Sequence, residues 1–500
     1  MVSQSVVILA ALALSGEPLG STPDSPDPQS WPRLSLSEAR RIAPTVDDLF
    51  RRAQVLEQTA AVAIGLGDGP TACGLLLDAL DAARRITDRA LRDLALRDIA
   101  VNQTHCGDLP GALRTVEEIR EREPRDVVSS AIVDAQVSAG QLDAALAAAR
   151  RIYAPLTMSY ALRNIAVMHA RQEHFAVGRA IADDIPDSLL RALAVADIAA
   201  LHANVGNTQA LETARLIAQS VRQTARRDAA LGYVAAVQAR SGNVQSALST
   251  AASIKGPATR AYALARIVDA RLRLGDSTMA QELLNRAFAL ARTARPGETT
   301  AMVLCEIAQT FVLAGDKASA IAVLDAAFSS AIAGRKHRQD STILETIART
   351  QARAGALQDA LATAEHVPAR NARALVIHDI LAARAEAGGA VEATAIARSF
   401  TDPHLRIAGL FGIVGAQTAS GDIAGANQSL QLILVAARNT VDPDYRAHSL
   451  GAVAAAQARL GDTADGWPIF QEALAEAATL TDPYARALAH VNLSDPFTQR

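Results

Sequence analysis

Two sets of polar residues recur along this 500-residue chain, and both have side chains suited to recognition. Arginine guanidinium groups bind carboxylates and carbonyl oxygens, and the recurring arginines are Arg52, Arg92, Arg125, Arg191, Arg227, Arg260, Arg373, Arg406, Arg446 and Arg486. Glutamine amides can bind a peptide backbone. The recurring glutamines are Gln103, Gln136, Gln238, Gln351, Gln417 and Gln457, and His169 and His202 occupy the same place in the series. We favour structural roles for both sets: arginines bonding carbonyl groups at the end of a preceding helix, and glutamines bonding between stacked repeats.

Motifs of catalysis are scarce in the sequence. It contains no G-x-S-x-G, no H-E-x-x-H and no G-x-x-x-x-G-K-[S/T] pattern. Cys73, Cys106 and Cys305 lack the spacing of a zinc site or of a disulfide framework, and we expect them to pack as small hydrophobic side chains. The sequence therefore predicts a chain that is not an enzyme, with no catalytic residue, no metal site and no cofactor.

Composition argues against a nucleic-acid partner. The net charge is −3 and is spread along the chain, whereas binding to phosphates needs clustered positive charge. Only 3% of residues are aromatic, which disfavours stacking on bases. No segment is apolar over a length that would span a membrane. Arginine greatly outnumbers lysine, and alanine is abundant, which suggests a GC-rich bacterial genome.

The N-terminal residues differ from the rest of the chain. An apolar run, VVILAALAL, covers residues 6–14, and prolines follow it among Ser, Asp and Gly. We predict a signal peptide over 1–16 and a Pro-rich disordered linker over 17–35, although no basic residue precedes the run. This favours an exported, periplasmic protein, and the alternative is a cytoplasmic protein with a disordered terminus.

A glycine recurs at intervals of roughly 33 to 40 residues at the end of Ala-rich segments, a spacing typical of helical repeats: Gly67, Gly107, Gly140, Gly206, Gly242, Gly275, Gly315, Gly355, Gly388, Gly421 and Gly461, with Glu173 in one repeat. The two commonest intervals differ by seven residues, which is two helical turns and preserves a helix face. From Gly107 onward, Ile or Val lies eight residues before each turn, and Ala commonly lies five residues after it. Each repeat is therefore predicted to be a helix A, a glycine turn and a helix B.

The helix boundaries carry their own signals. Asp402-Pro403, Asp442-Pro443 and Asp482-Pro483 each pair an N-cap residue with a proline suited to the first helical position. An aspartate commonly follows the turn glycine, as in Gly275-Asp276, where it suits the N-cap of helix B. We predict repeats over 36–500, with a C-terminal capping helix at 484–494.

The turn glycine, the alanine five residues later and a small or apolar residue twelve residues later resemble the tetratricopeptide repeat (TPR) over about residues 50–500. Leu replaces the early Trp of that family, and Ala replaces its helix-A Gly. The resemblance implies an all-α, right-handed α-solenoid of about twelve helix–turn–helix repeats, each of roughly 33–40 residues. It also implies a concave wall of helices A that binds proteins or peptides.

Five positions of helix A are predicted to face that groove: the thirteenth, tenth, ninth, sixth and second residues before the glycine. The candidate partner-binding residues are Arg97, Asp98, Asp134, Arg163, Asn164, Asp197, Tyr233, Arg266, Asp269, Glu306, Gln309, Glu345, Arg349, His378 and Asp379. Toward the C-terminus the same positions hold Gly412, Gly415, Gly451, Ala452 and Ala455, which predicts close helix contact or self-association there.

These observations favour a non-enzymatic scaffold that binds protein or peptide partners whose identity the sequence does not reveal. The alternative is an α/α-toroid enzyme acting on a polysaccharide or a lipid, which requires paired acids with aromatic residues. The scarcity of tryptophan disfavours that alternative.

Overall fold

The computed structural model describes residues 26–204, 209–277, 279–334 and 341–497, and over these ranges the chain contains helices and no strands. The predicted signal peptide, most of the predicted linker and Gly206 lie outside the described residues. The chain is an all-α solenoid of TPR-like hairpins. None of the described helices is long and apolar enough to cross a membrane.

The helices pair as successive A and B helices, with an odd-numbered helix B after each even-numbered helix A. The first half contains α1 Trp31–Ile42, α2 Leu49–Gly65, α3 Gly69–Arg84, α4 Arg89–His105, α5 Leu109–Glu118, α6 Arg122–Ser138, α7 Leu142–Ala149, α8 Pro155–Arg171, α9 Phe175–Asp183, α10 Ser188–Asn204, α11 Gln209–Ser220, α12 Thr224–Arg240 and α13 Val244–Ala252. The second half contains α14 Pro257–Arg273, α15 Ala280–Arg292, α16 Glu298–Leu313, α17 Lys317–Gly334, α18 Thr342–Ala354, α19 Leu357–Glu365, α20 Arg370–Arg384, α21 Ala390–Ser399, α22 Pro403–Ala419, α23 Ile423–Arg438, α24 Pro443–Arg459, α25 Thr463–Ala478 and α26 Pro483–Ser494.

The predicted turn chemistry is confirmed at the described repeats. Ten of the turn glycines adopt left-handed backbone angles, with φ between 73° and 92°. Glu173 adopts the same conformation, with φ of 63°, at the position where the other repeats place glycine. Asp402, Asp442 and Asp482 cap helices A as predicted. The aspartate after the turn glycine caps helix B at Asp68, Asp108, Asp422 and Asp462, whereas Asp276 accepts a hydrogen bond from the Arg271 Nε (3.1 Å).

The predicted apolar stripe forms the core of each hairpin. The Ile or Val eight residues before the turn is at most 4% exposed in each repeat that has one, including Ile165, Ile267 and Ile380 at 0%. The small residue after the turn lets helices A and B approach closely. In the α8–α9 hairpin this residue is Gly178, where an added Cβ would lie 2.5 Å from the Ala166 carbonyl oxygen.

The chain divides into two compact units, and each is described by itself. Unit 1 comprises residues 1–124 and 364–500, and unit 2 comprises residues 125–363. In unit 2 the helices A from α8 to α18 pack side by side, and those from α8 to α16 each pack against their own helix B. Unit 1 brings α1 and α26 together.

Helix α26 pairs with α1 in unit 1, although the two helices lie at opposite ends of the sequence. Helix α26 also packs beside α24 on one side and α2 on the other, as consecutive helices A do elsewhere. The Ser35 hydroxyl donates to the His490 carbonyl oxygen (2.7 Å), and the Ser494 hydroxyl donates to the Pro32 carbonyl oxygen (2.9 Å). Helix α1 is thus the helix B of a hairpin whose helix A is α26.

Both tryptophans of the chain lie at this junction. Trp31, at the start of α1, is fully buried, and its ring centroid lies 5.6 Å from Phe470, 5.4 Å from Trp467 and 6.1 Å from Phe497. The Trp31 Nε1 donates to the Pro26 carbonyl oxygen (2.9 Å). Aromatic side chains, which contribute the largest burial per residue, are thus concentrated where α1 meets the C-terminal helices.

Two sequence expectations need correction here, and a third is confirmed. Helix α1 begins at Trp31, so residues 31–35 belong to the solenoid and not to the linker, because Trp31 buries its ring. Helix α26 spans the predicted 484–494 segment but is not a terminal cap, since α1 and α2 cover it. The close helix contact predicted for the C-terminal positions is found at two of them: Gly412 and Gly451 are buried against α20 and α26, where an added Cβ would contact the His378 carbonyl oxygen and the Leu493 side chain.

We predict that Trp31→Ala weakens the junction by about 3–5 kcal/mol, because it leaves a large cavity among aromatic rings. Trp467 then becomes the only tryptophan, and its fluorescence emission should shift to longer wavelength as water enters. The matched control is Leu34→Ala on the same helix, where the side chain is 43% exposed and the expected loss is within about 0.5 kcal/mol. Urea denaturation measures both variants, and equal losses would contradict the assignment.

Candidate functional site

The recurring arginines are structural at seven repeats, as we favoured from the sequence. The guanidinium group of each donates to the carbonyl oxygen of the residue six positions earlier, which lies just after the preceding helix B. The donor–acceptor distances lie between 2.7 and 3.4 Å, and for Arg260 the donor is its Nε. These arginines are Arg52, Arg92, Arg191, Arg260, Arg373, Arg406 and Arg446. A charged donor thus satisfies a carbonyl group left free at the helix end.

The recurring glutamines are also structural in three repeats, but they act within a hairpin and not between repeats. The Oε1 atoms of Gln103, Gln238 and Gln417 each accept a 2.8 Å hydrogen bond from a hydroxyl group twelve residues later, on helix B: Thr115, Thr250 and Ser429. Gln136 and Gln457 have Ala148 and Ile469 at that position, and their buried Oε1 atoms have no partner. The expectation of bonds between repeats was wrong for these residues, because their position, four residues before the turn, faces helix B of the same hairpin.

A third series, which we did not anticipate, joins successive repeats. Asp93 accepts hydrogen bonds from the backbone N–H groups of Arg120 (3.0 Å) and Glu121 (2.8 Å), where the next repeat begins. Asp126 accepts from Tyr153 (2.8 Å) and Ala154 (2.7 Å) in the same way. The signal was the aspartate directly after a recurring arginine, as in Arg92-Asp93 and Arg125-Asp126.

We call the exposed and half-exposed surface of α8, α10, α12, α14 and α16 the helix-A face of unit 2. At its centre, the Arg163 guanidinium donates to the Asp197 carboxylate (2.7 Å), and the Tyr233 hydroxyl donates to the same carboxylate (2.5 Å). These three predicted residues come from three successive repeats. Burial and the Asp197 carboxylate raise the pKa of Tyr233, so its hydroxyl stays protonated.

The same face continues across α14 and α16. The Arg266 Nη1 lies 2.7 Å from the Glu306 Oε1, and Asp269 pairs with Arg273 at 3.0 Å. Each predicted cation on this part of the face therefore has an acidic neighbour. Charge pairing between adjacent helices A positions the groups and reduces the net charge that a partner meets.

The remaining predicted residues make shorter local contacts. In unit 2, Asn164 donates to Asp134 (3.0 Å), Gln309 donates weakly to Thr350 (3.4 Å), and Arg349 lies 3.7 Å from Glu345. In unit 1, Arg97 pairs with Asp98 (2.7 Å), and the Nδ1 of His378 lies 3.0 Å from the Asp379 carboxylate. His378 is only 8% exposed, so it contributes little surface to a groove.

A cavity of about 170 Å³ opens on the helix-A face between α10, α12 and α14. Leu189 and Leu193 form one wall, the Tyr233 and Tyr262 rings form another, and Arg240 and Arg266 lie beside it. Sequence reasoning selected Tyr233 and Arg266 but missed the others. Leu193 and Tyr262 occupy the first of the five predicted groove positions of their helices, and Arg240 occupies the last, so the groove pattern already contained them.

Exposed apolar side chains also lie on α8 and in the segment just before it. Tyr160 and Leu156 on α8 are 54% and 53% exposed, and Tyr153, just before that helix, is 63% exposed. Two of the chain's six tyrosines, Tyr153 and Tyr160, are thus more than half exposed. Tyrosine, tryptophan and arginine carry much of the binding energy in protein interfaces.

A separate pair of acids lies on unit 1. The Glu57 carboxylate on α2 accepts a hydrogen bond from the Asn102 amide, and burial together with the nearby Asp98 charge raises its pKa to about 7. Proton exchange near neutral pH is therefore available to Glu57. Within the described ranges, no group of three or more His, Cys, Asp or Glu side chains is arranged to hold a metal ion.

No known protein-family model matches this chain, and no curated protein sequence does. Among solved structures, Ton1535 from Thermococcus onnurineus is similar at 17% identity, covering 65% of this chain and 97% of that one, with a TM-score of 0.26. The human IFIT1 dimer with m7Gppp-AAAA is similar at 12% identity over 95% and 99%, with a TM-score of 0.30, and yeast Tom70 at 12% over 88% and 95%, with a TM-score of 0.25. Because these scores are low, the fold assignment rests on the helices and turns of this chain.

We predict that Thr250→Val destabilises the α12–α13 hairpin by about 1–3 kcal/mol, because the buried Gln238 Oε1 loses its only hydroxyl donor while side-chain shape is kept. Ala148→Thr is the reciprocal variant, since it places a hydroxyl group near the unpartnered Gln136 Oε1. The free energy of unfolding of the Ala148→Thr protein should rise or stay unchanged. Urea denaturation measures both, and a destabilising effect of the same size in each would contradict the pairing.

Proposed function

We propose that this protein is a non-enzymatic scaffold that binds a protein or peptide partner on the helix-A face of unit 2. The observation that carries the proposal is the cavity between α10, α12 and α14, where Leu193, Tyr233 and Tyr262 surround an opening beside Arg240. Concave apolar sites with a few polar groups at the rim are typical binding sites. The charged neighbours would orient the partner.

The chemistry of the cavity indicates what it would accept. Two leucines and two tyrosine rings suit an apolar or aromatic side chain, and the exposed Arg240 guanidinium suits a carboxylate next to it. Arg163 and Arg266 already pair with Asp197 and Glu306, so they offer little free positive charge to a phosphate backbone. These features favour an acidic peptide with an apolar anchor over a nucleic acid.

One observation supports the enzymatic alternative. Glu57 has a pKa near neutrality beside Asp98, and paired acids were the requirement for a toroid enzyme acting on a polysaccharide or a lipid. However, Trp31 and Phe470 are buried in the junction and are not available to stack on a sugar. We therefore retain the scaffold as the main proposal. Export to a bacterial periplasm also belongs to this proposal and is supported by the apolar run at residues 6–14.

We predict that Tyr262→Ala and Arg240→Glu each weaken peptide binding at least about tenfold, the usual effect of removing an interface anchor. Peptides selected from a displayed random library against the full chain would be labelled, and their affinities measured by fluorescence anisotropy. Leu216→Ala is the matched control, because Leu216 is 53% exposed on the helix B α11, away from the cavity.

Two results would contradict the proposal. In one, no peptide is enriched on the wild-type protein. In the other, the enriched peptides bind the Tyr262→Ala and Arg240→Glu variants as tightly as they bind the Leu216→Ala control. Circular dichroism of each variant separates loss of binding from loss of folding.

A further inference from the structure

Two of the three cysteines meet at the boundary between two hairpins of unit 1. The Sγ atoms of Cys73 and Cys106 lie 2.8 Å apart, within about 0.8 Å of the length of a disulfide bond, about 2.05 Å. Cys73 lies in the second turn of α3, and Cys106 caps the C-terminal end of α4. Both are half-buried, whereas Cys305 is buried on α16.

The repeat geometry explains why these two residues meet. They are 33 residues apart, seven fewer than the 40 residues that separate the turn glycines of these two repeats, Gly67 and Gly107. The start of helix B in one repeat lies beside the turn between helices A and B in the next. The Cys106 Sγ also lies 3.5 Å from the Gln103 carbonyl oxygen, a short-range contact that holds the thiol at the turn.

We propose that Cys73 and Cys106 form a disulfide, a modification site that joins the α2–α3 hairpin to the α4–α5 hairpin. The sequence alone led us to expect three cysteines packed as small hydrophobic residues, since none of them has a short-range partner. The geometry instead singles out one pair and leaves Cys305 alone. Fluctuations of a few tenths of an ångström in two side chains bring the sulfur atoms to bonding distance.

The bond forms by thiol–disulfide exchange with a small-molecule or protein disulfide. One cysteine loses its proton and attacks a sulfur of the oxidant, which gives a mixed disulfide and releases one thiol of the oxidant. The second cysteine then attacks the protein sulfur of the mixed disulfide and releases the other oxidant thiol. Two protein thiols are oxidised to one disulfide, one external disulfide is reduced to two thiols, and the two protons pass to those products.

The surroundings make this exchange with the oxidant slow at neutral pH. Burial, the neighbouring Cys106 thiol and the Asp108 carboxylate raise the pKa of Cys73 to about 11. Because the thiolate is the attacking species, few molecules react at neutral pH. The pair is thus expected to stay reduced in a reducing compartment and to close where disulfide donors are abundant.

The test uses the folded full-length chain, incubated with oxidised glutathione at about pH 8. It is then denatured, alkylated and digested without reduction. We expect a mass loss of about 2 Da, a linked peptide containing Cys73 and Cys106, and alkylation of Cys305 only. The melting temperature should rise by about a few degrees, and dithiothreitol should reverse the change.

Two variants give the assignment a matched control. Cys305→Ser should form the bond as readily as the wild type, whereas Cys73→Ser should leave Cys106 as a glutathione adduct or as a free thiol. Three results would overturn the proposal: separate glutathione adducts on both cysteines of the wild type, a disulfide-linked dimer, or three alkylated cysteines after oxidation.

Discussion

No hairpin of this protein can bury its apolar stripe by itself, and this constraint governs the rest of the structure. Helix A carries Ile, Leu and Ala on more than one side, and only a neighbouring hairpin can cover the side that helix B leaves open. The nearly complete burial of Ile165, Ile267 and Ile380 shows how fully the neighbours do so. The α26–α1 hairpin meets the same constraint, because α2 and α24 of the neighbouring hairpins pack against α26.

Polar bonds then determine where each helix begins and ends. An arginine satisfies the carbonyl group after the preceding helix B, and an aspartate satisfies backbone N–H groups at the start of the next repeat, as Arg92 and Asp93 illustrate. Because Arg92 is half-buried and Asp93 is fully buried, each bond is worth more than an exposed ion pair. The proposed binding surface consists of groups that these bonds leave exposed: the cavity on the helix-A face of unit 2 and the exposed Tyr160.

The repeat period, the turns and the apolar core could all be predicted from sequence, because each depends on local spacing. The left-handed Glu173 turn is one example, since its position alone identified it. The pairing of α1 with α26 could not be predicted from a periodic pattern, because it joins residues at opposite ends of the chain. One signal was present: Arg52 lies six residues after Val46, as the other arginines lie after a helix B, which marks α1 as a helix B.

The candidate site was predictable only in part. Tyr233, Asp197 and Arg163 were selected for their polarity at groove positions, and the structure joins them. Leu193 and Tyr262 occupy such positions too, but an apolar residue on a helix is ordinarily a core residue, so the pattern alone could not separate a cavity wall from a core. The glutamines were assigned to the wrong neighbour because one helix position can face either its own helix B or the next repeat.

The central claim is that α1, residues 31–42, completes the hairpin of α26 through non-covalent packing. Its covalent link to α2 is not needed to keep it in place. A protease recognition sequence inserted between Asp47 and Asp48, in the exposed link before α2, would test it after cleavage. We expect the N-terminal fragment to co-elute with the remainder of the chain in size-exclusion chromatography under native conditions and to separate from it only in denaturant. Separation of the native fragments, with the remainder still folded, would contradict the account.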